Sequence, residues 1–338
     1  MRKVIIPTLI LLCLAGCKTI SATIAVFGII SFSPRLRCAT GAGAVRGEWK
    51  GFTSSNKYLL LAVLVLGYSG GLPVRAAETP PEFSRLSVVN VHSACMSKDI
   101  EVGIILPSSY PGSSDRRYPV IYFLDGHSGN GKRLFYDFYK DDLLKQSDKF
   151  NVIMVAVGSF NTWYFDSPVN PEVKWQQFLI KELIPFVDAK YRSIAKREGR
   201  AITGMSMGGH GSFYTAFRHP EMFIAAGSTS GGVDLRPWPD NWDIAAVLGK
   251  KTEHEKNWDD NVVVNNLNAL PKARMAIYFD CGKDDFFLAV NRALDKKMND
   301  MKIVHTYEEF PGGHTQDFWA RSLPKHVEFF SKYLATGK

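Results

Sequence analysis

The chain has 338 residues, enough for one large α/β domain and an extension. Its 46% hydrophobic and 22% charged residues exclude a largely disordered polypeptide. The net charge of +8 suggests an anionic partner, but residues 1–79 carry 9 Lys/Arg against 2 Asp/Glu, and the remainder carries 32 against 31. The excess flanks N-terminal apolar runs, as in export signals, so no nucleic-acid-binding surface is expected.

Residues 1–20 read as a basic start, an apolar run and then LAGC, ending at Cys17. This is similar to a bacterial lipoprotein signal, in which Cys17 would carry the lipid. A second apolar run begins after Lys57 and leads to VRAA before Pro-rich sequence, a signal-peptide pattern with cleavage near Ala77. One protein needs only one signal. A translation start placed too far upstream, or a membrane-attached leader, would explain the doubling. None of the apolar runs reaches the roughly 18–20 uninterrupted residues of a membrane span. The expectation is a secreted, periplasmic or envelope-anchored protein, with residues 1–78 outside the fold and residues 79–338 forming the domain.

From residue 80 the elements follow in order. Segments 85–91 and 99–106 alternate like antiparallel edge strands. Segments 118–124, 151–157, 201–203 and 273–279 are apolar runs, each ending in Gly or Asp. Such runs are typical of buried parallel strands with functional loops at their C-terminal ends. Helical spacing marks 171–191, with Pro171 suited to the first turn, and then 286–301 and 322–333. A last strand is predicted over 303–310. Alternating strands and helices predict an α/β fold with a doubly wound, mostly parallel sheet and helices on both faces. The Trp-, Asp- and Asn-rich stretch 234–271 lacks periodicity and reads as an insertion over the site.

The strongest signal is GMSMG at 204–208, a G-x-S-x-G between a predicted strand and a predicted helix. Flanking glycines permit a turn tight enough to hold the Ser206 hydroxyl at the sheet edge, where the helix N-terminus favours developing negative charge. A serine needs a base, and His314, on the glycine loop FPGGHT after the last strand, has the setting for one. His210, just inside the helix, suits packing or capping better. The acid that orients the imidazole is expected just after a strand, within GKDDF (282–286). Asp285 has the better spacing, with Asp284 the alternative. The order Ser206, Asp285, His314 is that of α/β-hydrolases. Two backbone amides should hold the oxyanion: that of Met207, after the serine, and one from the loop DGHSGN (125–130), with His127 preferred over Ser128. Trp163, Tyr164 and Phe165 follow a strand end and are candidates to line the substrate cleft. Trp238, Trp242 and Trp258 lie in the insertion.

Five cysteines, at 13, 17, 38, 95 and 281, show no zinc-ligand spacing, and no metal or organic cofactor is needed by this chemistry. Cys95 and Cys281 are either a disulfide or two buried thiols.

The blocks YFLDG (122–126), RAITGMSMGGHG (200–211), HPEMF (219–223), STSGG (228–232), GKDDF (282–286) and GGH (312–314) resemble the esterase family of α/β-hydrolases. That family includes tributyrin, acetyl-xylan and feruloyl esterases, S-formylglutathione hydrolases and, more distantly, mycolyltransferases. The resemblance covers about residues 83–336 and implies Ser206, Asp285 and His314 as the triad, with an oxyanion hole near His127 and Met207. Asp125 departs from it, because many relatives have His before that glycine. The function expected is a serine carboxylesterase for short-chain or carbohydrate-linked (acetyl or feruloyl) esters. A cell-envelope acyltransferase with the same triad and a non-catalytic binding module are the alternatives.

Overall fold

The computed structural model describes residues 84–112 and 115–337. The expectations for the leader, Cys17 and the cleavage near Ala77 lie outside these residues. Among the described residues, eight strands form one sheet in the order β1-β2-β4-β3-β5-β6-β7-β8. β1 (Leu86–Ser93) and β2 (Lys98–Ile105) pair antiparallel at one edge, and β2 is antiparallel to β4 (Ile153–Val157). From there β3 (Val120–Leu124), β5 (Arg200–Gly204), β6 (Ala225–Thr229), β7 (Ala276–Gly282) and β8 (Thr306–Phe310) run parallel. Every residue of β3, β4, β5 and β6 is buried, as strands covered by helices on both faces require.

Side chains from opposite faces of the sheet sort into two cores. Val120, Tyr122 and Leu124 belong to one, together with the Met207–Arg218 helix, and Ile121 and Phe123 belong to the other, which contains the C-terminal helix. Parallel strands all point the same way, so the loops after β3, β5, β7 and β8 emerge along one edge of the sheet, where a site can assemble.

Two expectations need correction. Pro171 does not open a helix: residues 166–174 close on themselves through an Asp166–Lys174 bridge and a Ser167 N–H to Val173 carbonyl bond (2.9 Å), and the helix begins at Trp175. It runs through wider π turns at Phe178–Leu183 into Ile184–Lys190. The wide turns precede Pro185, which has no amide hydrogen to continue the regular ladder. The last helix spans Gln316–Ser331, starting well before residue 322 and continuing past Pro324. Thr315 caps it by accepting from the Phe318 amide (3.4 Å). β6 was not predicted as a strand. The predicted insertion holds three short helices, Ile244–Leu248, Glu255–Asn261 and Leu270–Ala273.

Cys95 and Cys281 are free thiols. Cys95 lies in the turn after β1 and Cys281 in β7, with five strands between them, so no backbone adjustment brings them to bonding distance.

Candidate active site

β5 ends at Gly204, and the chain turns through Met205 and Ser206 into the Met207–Arg218 helix. Ser206 takes φ 54° and ψ −117°, a conformation costly for a residue with a Cβ. The glycines make it feasible. A Cβ on Gly208 would lie 1.9 Å from the Leu124 carbonyl oxygen, and one on Gly204 2.5 Å from both Leu124 O and Gly208 C. The Ser206 amide donates to Thr229 O at the end of β6 (2.9 Å), which anchors the turn.

Ser206 Oγ lies 2.8 Å from His314 Nε2, and His314 Nδ1 lies 2.9 Å from Asp285 Oδ2. Asp285 Oδ1 accepts the Phe287 amide (2.8 Å), so both carboxylate oxygens are engaged and the side chain is wholly buried. Asp284 is exposed, and its amide donates to Gly312 O (3.0 Å), tying the acid loop to the histidine loop. Three residues 79 and 29 positions apart in sequence thus form one hydrogen-bonded chain. This arrangement suits deprotonation of a hydroxyl as it attacks a carbonyl.

The Ser206 hydroxyl opens on a cavity of about 380 Å³ lined by Gly126, His127, Arg133, Phe138, Trp163, Met205, Trp242, Phe286, Phe287, His314, Gln316 and Trp319. Two backbone amides are candidates to hold an oxyanion at the serine, and His127 lines the cavity with Ser206. Met207 begins the helix, and His127 belongs to the loop after β3; among the described residues neither N–H has an assigned acceptor. The Ser128 amide is committed to Phe160 O (2.8 Å), which leaves His127 as the freer donor of the two. The His127 imidazole sits 3.2 Å from Ser128 Oγ and 3.4 Å from Asp243 Oδ2.

The aromatic candidates divide. Trp163 lines the cavity, with its indole N–H donating to Trp242 O (2.9 Å). Tyr164 does not line it and is corrected as a substrate contact. It is fully buried, and its hydroxyl lies 2.8 Å from Asp125 O and 3.1 Å from Val157 O. Positive φ at both residues (56° and 60°) sends the neighbouring rings to different places. Phe165 packs on His210 in the core. In the insertion, Trp242 lines the cavity and stacks on Phe286 (5.5 Å), Trp238 meets Phe287 edge-on and Trp258 is core. Sequence reasoning missed Arg133, Phe138, Gln316 and Trp319. The last two had a usable signal, since they lie on the first turns of a helix capped next to His314.

His210 is a core residue. Its Nδ1–H donates to Gly232 O (3.0 Å) while Nε2 faces no acceptor, so a second proton would be stranded. Burial accordingly lowers its pKa to about 3. An unfolded histidine takes a proton below about pH 6.5. Stability is therefore full above that pH and declines as pH falls toward 3, by up to ~1.4 kcal/mol per unit. Urea unfolding at pH 7 and pH 4.5 should show this loss in the wild type and a smaller one in His210→Phe. Equal losses in the two proteins would contradict the assignment.

Comparison with known proteins gives the family and the fold. The family described as "Putative esterase" matches residues 93–330, most of the chain. The chain belongs to this esterase family. An esterase of Mycobacterium tuberculosis is 28% identical over 282 residues, covering 75% of this chain, which spans only 60% of that relative's length. An acetyl esterase of Caldicellulosiruptor saccharolyticus is 25% identical over 273 residues, 72% of this chain and 97% of the relative. Among solved structures, a ferulic acid esterase superposes with a TM-score of 0.63 at 24% identity, covering 74% of this chain and 98% of its own. An S-formylglutathione hydrolase from Agrobacterium tumefaciens gives 0.61 at 17%, covering 74% and 95%. These structures share the α/β-hydrolase fold with this chain.

Proposed function

We propose that the protein is a serine carboxylesterase that hydrolyses short-chain or carbohydrate-linked esters, acetyl or feruloyl, through an acyl-enzyme on Ser206. The observation that carries this reading is the unbroken hydrogen-bonded chain Ser206–His314–Asp285 at the mouth of the aromatic cavity.

Ser206 Oγ attacks the ester carbonyl as its proton passes to His314 Nε2. The carbonyl oxygen becomes an oxyanion and takes hydrogen bonds from the His127 and Met207 amides. Asp285, held at Nδ1, stabilises the imidazolium. His314 then gives the proton to the departing alkoxide, which leaves as alcohol, and the acyl group remains on Ser206. Water deprotonated by His314 attacks the acyl-enzyme, releasing the carboxylic acid and restoring the serine.

Flat indole and phenyl surfaces around the cavity suit a sugar or phenolic ring. The acetyl esterase relative favours a small acyl group. Placement outside the cytoplasm, inferred from the N-terminal sequence, would put the enzyme beside polysaccharide esters. A cell-envelope acyltransferase is the second reading, favoured by a 29% identical stretch of 195 residues in a diacylglycerol acyltransferase/mycolyltransferase of Mycolicibacterium smegmatis. The test is product partition. With p-nitrophenyl acetate, and with acetylated and feruloylated xylo-oligosaccharides, free acid should dominate even when a sugar acceptor is added. Acceptor ester exceeding free acid would replace hydrolase with transferase.

A further inference from the structure

Asp125, at the end of β3, is an acid with no solvent exposure on a catalytic loop, and the mechanism above gives it no task. Its carboxylate accepts the Gly126 amide (2.7 Å), the Gly131 amide (3.3 Å), Arg133 Nε (2.9 Å) and Arg133 Nη2 (3.0 Å). The loop therefore wraps around one carboxylate. A Cβ on Gly129 would lie 2.2 Å from Asp125 Cγ, so the far side of the wrap closes directly on it. Arg133 Nη2 makes a second bond, to the His127 carbonyl (2.9 Å), and the Tyr164 hydroxyl reaches the Asp125 carbonyl from below.

These contacts bracket one peptide. The Gly126 amide is fixed by Asp125 on one side and the His127 carbonyl by Arg133 on the other. Between them lies the Gly126–His127 peptide, whose N–H belongs to His127, and both of its residues line the same cavity as Ser206. Taking a carboxylate out of water is costly, and removal from water raises the pKa of Asp125 while Arg133 opposes the rise. Buried ion pairs are weak contributors to stability, whereas two-pronged guanidinium contacts fix geometry well.

We infer that Asp125 and Arg133 are positioning residues of the oxyanion hole, clamping the Gly126–His127 peptide so that its N–H meets the oxyanion formed on Ser206. The inference rests on the serine esterase reading.

The test uses the full chain, p-nitrophenyl acetate and a trifluoromethyl ketone that forms a tetrahedral adduct with serine, with active sites counted by a fluorophosphonate. Arg133→Met should lower kcat per titrated site by about 10²-fold, comparable to loss of one oxyanion donor, with KM changed less than about threefold. The trifluoromethyl ketone should lose affinity in parallel. Arg133→Lys, which keeps the charge but not the fork, should fall between, and Asp125→Asn should resemble Arg133→Met. A purely structural role would reduce the number of titrated sites and leave kcat per site intact. Folded Arg133→Met with kcat within threefold of wild type, or a loss confined to KM, overturns the clamp. Should Arg133→Met not fold, wild-type kcat per site in Arg133→Lys overturns it equally. If Ser206→Ala retains the wild-type rate, the esterase reading falls and the clamp with it; if turnover depends on Ser206 but not on Arg133, only the clamp falls.

Discussion

Ser206→Ala should lower ester hydrolysis by about 10⁴- to 10⁶-fold in kcat, leaving only what the oxyanion donors and substrate binding supply. The change is clean because the described partner of the hydroxyl is His314 and nothing else, so no packing is lost with it. His314→Ala should cost a similar factor, and the double variant little more than either alone, since nucleophile and base act as one unit. Rates measured with p-nitrophenyl acetate and butyrate, with denaturant midpoints alongside, decide the matter. Losses that multiply in the double variant would mean that the two residues act separately, and the acyl-enzyme mechanism would have to be abandoned.

Asp285→Asn should reduce kcat by roughly 10⁴-fold while the same change at its neighbour, Asp284→Asn, stays within about threefold of wild type. The carboxamide introduced at position 285 can turn its N–H rather than its oxygen toward His314 Nδ1. That favours the ring tautomer that carries its proton toward Ser206 and cannot accept another there. The substitution also removes the negative charge that stabilises the imidazolium. Asp284 is exposed, and its contribution is the backbone bond to Gly312, which an asparagine side chain leaves intact. Equal losses in the two variants would move the acid's role away from Asp285.

Much of this site was legible because glycine punctuates it. The runs ending in Gly204, in Gly282 and before Gly312 mark where strands stop and reacting side chains start, and residue type and chain order then select Ser206, Asp285 and His314. β6 escaped detection because Ala225–Thr229 is a strand of small residues, AAGST, with neither alternation nor bulk. It lies buried in the sheet because its neighbours β5 and β7 and the C-terminal helix cover it. The different fates of Trp163 and Tyr164 were not readable either, since they depend on two positive φ angles in a non-glycine segment. Nor does an acid in DGHSGN announce that it is buried. Its partner Arg133 is eight residues away, and only the closed loop brings the two charges together.

The order in which the site's pieces leave the ribosome also matters. Ser206 directly follows a central strand that can be complete while β7, β8 and the C-terminal helix are still being made. The base arrives last, on the loop capped by that final helix. That helix packs on β5, β6 and β7, and the His314 loop lies between it and β8, so Ser206 and His314 meet only once both are in place. A Ser206–His314–Asp285 relay assembled in this order is complete only when the last elements of the fold are.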